Sequence, residues 1–355
     1  MNYNLRYPTS QKSLYTSGDN IDLVMSFPSR GLVGNSVRIT GILDVYSTGV
    51  TRVLPTDRIY YDAMAGVHSF MDNISVSMQT KGVIESITQY PRYVKMKNSA
   101  IKTVSQLATD SKLQCQLFCQ DSYVTNSMMS YSLPFSCDLD MCLNNVIGNS
   151  VFGYSKTGDI TISFRFVQPI DALFGGDMSS NVNYTVTSLA CEYLTVMEPK
   201  ELQPVQMIIT YPVKQTINST NASLNIKLPA IINSMYASFM LQAQESQMSY
   251  NNLALQQPAG LYKLYYSFND TSNTFISYPV DSIEDMMERY LMAFKGVKNS
   301  TSLKRVGLEE IFGVGLDYEG QINMLDSSFG MNILSQVSNA SPFSIFAFFK
   351  EIIAV

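Results

Sequence analysis

The chain has 355 residues, enough for two ordinary domains that each bury a core of their own. Its net charge is −5 and it carries no Lys- or Arg-rich arm, which argues against direct packaging of nucleic acid, because neutralising phosphates takes clustered basic side chains. Charged residues make up only 15% against an ordinary 46% hydrophobic, so neutral polar side chains replace the missing charge.

In chain order, the N-terminal ten residues have no apolar core, so no signal peptide is expected and synthesis in the cytosol is. Without secretion, sequons such as Asn73, Asn183, Asn218 and Asn269 stay unmodified. From residue 35 the text alternates with the period of two that a half-buried strand requires. Val37, Ile39, Leu43 and Val45 share one side, with Arg38, Thr40 and Asp44 opposite. Ile74, Val76 and Met78 repeat the pattern against Ser75, Ser77 and Gln79. A nearly gap-free run over 82–96 reads as a continuation of the strands. Lys95, Lys97 and Lys102, the densest basic group, read as a solvated face. Residues 98–109 are ambiguous between helix and loop.

Five cysteines follow, at 115, 119, 137, 142 and 191. Their odd number, the cytosolic setting and the lack of paired metal-ligand spacing make them reduced and structural. Leu113, Cys115, Leu117 and Cys119 share a strand face as small buried hydrophobes. Strands are expected at 159–166 and 181–196, with a short helix over 169–174 between them. Charge and proline interrupt the pattern at 197–204, which places a boundary there and domains at 1–200 and 201–355. Strands resume at 205–211, 223–228 (Leu224, Ile226 and Leu228 inward), 235–242 and 261–268. Residues 282–295 break the rule: Ile283, Met286, Met287, Tyr290, Leu291 and Phe294 fall at helical spacing. Ser282 is the natural N-cap, with Asp285 three residues on and Gly296 just past the end. That stripe reads as packing rather than as a groove. Residues 313–334 and 341–354 read as closing strands. The fold class is therefore all-β, a jelly-roll sandwich followed by a second jelly-roll-like domain, with one well-defined helix at about 282–295.

No constellation carries chemistry. His68 is the only histidine, and nothing in the sequence ties it to Cys115 or a serine as a nucleophile. The segment 31–36 lacks the lysine and spacing of a phosphate loop. Gly313 and Gly315 lead into a strand rather than the helix a dinucleotide needs. Asp57 with Asp62, and Asp138 with Asp140, lack a calcium-loop pattern. A glycosidase would usually want Trp for stacking on sugar, and the chain has none. No catalytic, cofactor-binding or metal residue is assigned, no cofactor is expected, and the chain is read as no enzyme. No apolar run is long enough to span a membrane.

Two charge-poor tracts point to assembly. Residues 228–262 carry one charge, Glu245, and residues 332–349 none. Interfaces are depleted in charge, so these tracts are expected in subunit contacts, and a charge at Met240 or Phe346 is expected to give soluble monomers. Phe346 has the alternative of lying in the fold's own core.

The ordered strand text over 35–96, continued by residues 135–144 and 156–162, resembles the first jelly roll of the minor capsid (penton) proteins of virophages and Polinton-like viruses. Residues 228–229, 268–271, 313–318 and 342–349 are similar in tone to the second half of that family. The resemblance implies a structural protein of an icosahedral virion, forming homopentamers at the fivefold vertices among neighbouring capsid proteins, with no catalytic residues to carry over. The alternative within that class is a compact double jelly-roll major capsid protein forming pseudo-hexameric trimers, and the run over 82–96 favours the penton. A second alternative is a non-catalytic adhesion or binding module, which would more often be secreted or bear Trp.

Overall fold

The computed structural model describes residues 1–47, 59–62, 64–102, 106, 123–124, 131–148, 150–175, 182–217, 221–228, 231–270, 274–294, 312–325, 327–335 and 342–355. Residues 113–120 and Gly296, on which two expectations rest, lie outside them.

Beside a small sheet of Ile59–Tyr61, Tyr123–Val124 and Leu173–Phe174, and three short strands (Tyr15–Thr16, Arg30–Val33 and Val151–Gly153) that extend the larger sheet, eight strands build the two jelly-roll sheets of the first half. They are β1 (Asn2–Arg6), β2 (Asn20–Met25), β3 (Arg38–Ser47), β4 (Met71–Met78), β5 (Gly82–Ile87), β6 (Tyr131–Asp138), β7 (Ile160–Phe166) and β8 (Val182–Met197). One sheet runs β1-β8-β3-β6 and the other β2-β7-β4-β5, all antiparallel. The second half supplies β9 (Gln206–Ile217), β10 (Asn221–Ile226), β11 (Ile231–Leu241), β12 (Leu261–Asp270), β13 (Thr274–Val280), β14 (Val314–Asn323), β15 (Ser327–Ser335) and β16 (Phe343–Ala354). Its sheets run β9-β16-β11-β14 and β10-β15-β12-β13. Adding eight to every strand number of the first pair of sheets gives the second pair. The same eight-stranded jelly roll has been wound twice, and no named sheet mixes strands from the two halves.

Most expected strands appear within a few residues of their places. The N-terminal strands β1 and β2 and the strand β13 were not anticipated. The short helix over 169–174 is one turn, Pro169–Ala172, followed by a two-residue strand, Leu173–Phe174. The run over 82–96 is a correction. It is a strand only to Ile87; Gln89 then turns the chain in the left-handed region at φ 58°, and α1 (Tyr90–Ile101) begins with Pro91 in its first turn. Ten of its twelve residues are buried, including Arg92, Lys95 and Asn98. A helix covered on all sides shows no one-sided stripe, and its apolar positions then read as a buried strand.

The helix α2 (Ile283–Met292) forms where its periodicity places it, with Ser282 Oγ accepting from the Asp285 N–H at 3.1 Å. Met286, Met287 and Tyr290 pack inward, as the stripe implied. Its close approach to β14 explains two glycines. A Cβ on Gly315 would stand 2.8 Å from Tyr290 Cα and 3.0 Å from the Arg289 carbonyl oxygen, and one on Gly313 would stand 2.4 Å from the Tyr290 ring.

The charge-poor tracts meet each other in the second jelly roll. Strands β11 and β16 are paired neighbours at the middle of their sheet, with Met235 opposite Phe349 and Leu241 opposite Phe343. Odd-numbered Phe239, Phe343, Ile345, Ala347 and Phe349 face the interior of that jelly roll. Even-numbered Tyr236, Met240, Phe346 and Phe348 join the core that continues into the first half. A sheet buried on both faces needs apolar side chains at both parities. That requirement accounts for the nearly unbroken run at 343–349, and it overturns the subunit-contact expectation for these strands. Met240 and Phe346 are 0% and 2% exposed inside the chain's own core. A charge at either would disrupt folding rather than release monomers.

Candidate functional site

Among the described residues, those singled out for chemistry are scattered, and Asp57 and Cys115 lie outside them. His68 lies buried in the 3-10 turn Gly66–Phe70, its Nδ1 3.1 Å from the Tyr90 hydroxyl, which in turn accepts from the Asp140 N–H at 2.9 Å. Cys137, Cys142 and Cys191 are buried in the core, and burial pushes the thiols of Cys142 and Cys191 up. Gly313 and Gly315 lead into β14, as read. Among the described residues no three His, Cys, Asp or Glu side chains come together in a way that could hold a metal ion.

What the tertiary structure does assemble is a polar seam between the jelly rolls, with α1 along it. Arg92 reaches from α1 into the second half. Its guanidinium donates to the Ala254 carbonyl at 2.8 Å, to the Asn252 carbonyl and to Met240 Sδ, and it covers the Phe346 ring at 3.9 Å. Burial lowers its pKa to about 10, so it stays charged at neutral pH. Tyr290 of α2 returns the link, donating to the Met96 carbonyl at 3.0 Å.

Three carboxyls along this region behave differently. Burial pushes Asp62 up, but Lys95 Nζ at 2.6 Å, the Asn251 amide at 2.7 Å and the Ala65 N–H outweigh it, and its pKa is lowered. Burial is likewise overcome at Asp140 by Lys97 at 2.7 Å and by Asn145. Two of the three lysines read from sequence as a solvated face, Lys95 and Lys97, are therefore partners of these carboxylates, with only 6% of the Lys95 side chain exposed. Glu85 has no such cation. Its oxygens accept the Cys142 N–H at 2.6 Å and, across the seam, the Thr210 N–H at 2.8 Å, yet burial dominates and raises its pKa to about 7. Sequence reasoning missed these pairs, because Asp62 lies 33 residues from Lys95 and Asp140 lies 43 from Lys97.

No protein-family model matches the chain, and no curated protein matches it. Solved structures do. The Faustovirus major capsid protein superposes with a TM-score of 0.66 over 100% of this chain and 90% of its own, at 9% identity. The fold is the double jelly roll of viral capsid proteins. The PBCV-1 virus capsid gives 0.63 over 99% of this chain and 94% of that one, at 9% identity. The mavirus major capsid protein gives 0.56 over 99% and 90%, also at 9% identity. Both jelly rolls and the stretch joining them lie inside these superpositions, which is more than a lone sandwich would bring. Two of these three structures are named as major capsid proteins and the third as a virus capsid, and none is named as a penton.

Proposed function

We propose that this chain is a structural protein of an icosahedral virion, a major capsid protein that assembles as a trimer. The observation that carries the reading is the repeated strand order, 1-8-3-6 with 2-7-4-5, present twice in one chain and matched end to end by major capsid proteins. Each half is then a jelly-roll unit, residues 1–200 and 201–355. Three copies would present six jelly rolls around one axis, a hexagonal outline from a threefold ring of heterologous contacts. The penton reading leaned on the likeness of the run over 82–96 to that family, whereas the likeness to major capsid proteins covers both halves of the chain. Catalysis has no place in this role, and the partners are further copies and other shell proteins. The net charge of −5 argues against direct contact with packaged nucleic acid.

Light scattering after size exclusion, with negative-stain images of the same peak, tests the reading. The expected result is a trimer with a hexagonal outline. A ring of five would restore the penton, and a monomer at high concentration would count against an assembling subunit.

A further inference from the structure

Lys97, Asp140 and Asn145 close a triangle of side chains along the seam. Lys97 Nζ donates to Asp140 Oδ1 at 2.7 Å and to Asn145 Oδ1 at 2.9 Å, and Asn145 Nδ2 donates to Asp140 Oδ1 at 2.9 Å. An ion pair needs only the first of these contacts. The other two set a primary amine against the carbonyl of a carboxamide and put the nitrogen of that carboxamide on the same carboxylate oxygen. With a C=O bond of about 1.23 Å, the amine nitrogen lies within about 4.1 Å of Asn145 Cγ.

The three groups come from separate parts of the chain and are held from behind. Lys97 rides on α1 with 20% of its side chain exposed, and Asp140 has 13% exposed. The Asp140 N–H donates to the Tyr90 hydroxyl, and its Oδ1 accepts from the Tyr93 hydroxyl at 3.3 Å. Asn145 follows the 3-10 turn Cys142–Asn144, and its carbonyl accepts the Ile208 N–H of β9 at 3.0 Å. The next residue, Val146, bridges to Met207. A bond between Lys97 and Asn145 would therefore tie α1 to the segment that meets the second jelly roll.

We propose that Lys97 Nζ and Asn145 Cγ join in an isopeptide bond once the chain has folded, with Asp140 as the proton carrier. Asp140 takes one proton from the Lys97 ammonium, and the freed lone pair attacks Cγ as the C=O pair moves onto Oδ1. Collapse of the adduct forms the amide and breaks the Cγ–Nδ2 bond, whose electrons leave with nitrogen. Both protons shed by Nζ end on Nδ2, so ammonium departs and Asp140 is a carboxylate again. Nothing is oxidised, and no co-reactant is needed. Fixing amine and amide in contact supplies an effective concentration of up to about 10⁵–10⁸ M, which a free amine in solution lacks. The reaction happens once per chain, and it does not depend on the capsid reading. Lys95 is the contrasting case. Its partner Asp62 also holds an amide, that of Asn251, but the oxygen of that amide accepts from the Leu253 N–H. No bond is expected there.

Intact-mass spectrometry of the purified full chain, kept for several days at room temperature and then mapped with trypsin, tests the proposal. The wild type is expected to be lighter than its sequence by one molecule of ammonia and to yield a branched peptide joining residues 97 and 145. Lys97→Arg keeps a cation beside Asp140 but has no nucleophilic amine, and Asn145→Ala has no carboxamide; both are expected at full sequence mass. Asp140→Asn keeps amine and amide and is expected to stay unlinked. A wild-type chain at full sequence mass overturns the proposal, and that measurement needs no variant to fold. Ammonia lost without a branched peptide, as in a succinimide, overturns it, and so does a branch at 95 and 251 in place of 97 and 145. A link formed to the wild-type extent in Asp140→Asn overturns the proton transfer on which it rests.

Discussion

Two carboxyls buried near α1 show how much a single neighbour decides. Asp62 has Lys95 and stays ionised, whereas Glu85 has two backbone N–H groups and the Cys142 thiol but no cation, and is raised to about 7. The sign of its contribution follows. A folded pKa above the ordinary 4.5 means that the native state holds the proton more tightly than the unfolded chain does. Its share of stability is therefore complete below about pH 4.5 and is lost as the pH rises to about 7, a loss of roughly 3 kcal/mol. Urea unfolding at a series of pH values should show wild type weakening across that window. Glu85→Gln should flatten that part of the curve while being less stable at pH 5, since its amide nitrogen must face one of the two N–H donors. A parallel slope in both proteins would remove Glu85 as the cause. None of this was legible beforehand, because a glutamate in alternating strand text looks solvent-facing until a second domain covers it.

At the scale of elements, the strands were legible and α1 was not. Strand text is read from parity where one face is buried and from a short unbroken apolar run, as at 343–349, where both are. A helix is read from a stripe, and α1 has none because both jelly rolls and their loops cover it. The contrast with α2 is instructive, since it keeps an exposed side with Met292 54% exposed and was readable down to its cap. The meaning of Gly315 was also hidden, although its place in a strand was anticipated. Gly315→Ala should cost about 1–3 kcal/mol in chemical denaturation, because the added methyl meets helix backbone and the Ala293 Cβ at 2.8–3.0 Å rather than a side chain that can move aside. Stability unchanged within error would show that α2 can shift away from β14.

For the molecule as a whole, the decisive feature is that one core runs through the seam. The cluster that fills the first jelly roll continues through Tyr90, Tyr93 and Met96 of α1 to Tyr236, Tyr290, Phe346 and Phe348 of the second half. Tyr93 stacks on Tyr236 at 6.2 Å, and Tyr236 on Phe348 at 5.8 Å. Buried apolar contact of this kind couples the two halves, so calorimetry of the full chain should give one cooperative transition. Two well-separated transitions would mean that the jelly rolls are held together weakly. Charge is scarce in 228–262 and 332–349 because much of both tracts lies inside the chain's own seam and core. The inference that such tracts are interfaces was right in kind and wrong in address: the surface they meet belongs to the same polypeptide.

The sequence by itself determined the class of the fold, the places of most strands, the helix at 283–292 and the absence of any recognisable catalytic motif. These follow from local rules, side-chain alternation and capping, which each segment obeys wherever it ends up. Only the tertiary structure decided that the halves share one strand order, that 90–101 is a buried helix and that Lys95 and Lys97 are paired. Strand order, two-sided burial and ion pairing depend on residues far apart in the chain, and a sequence read segment by segment carries no record of which segments meet.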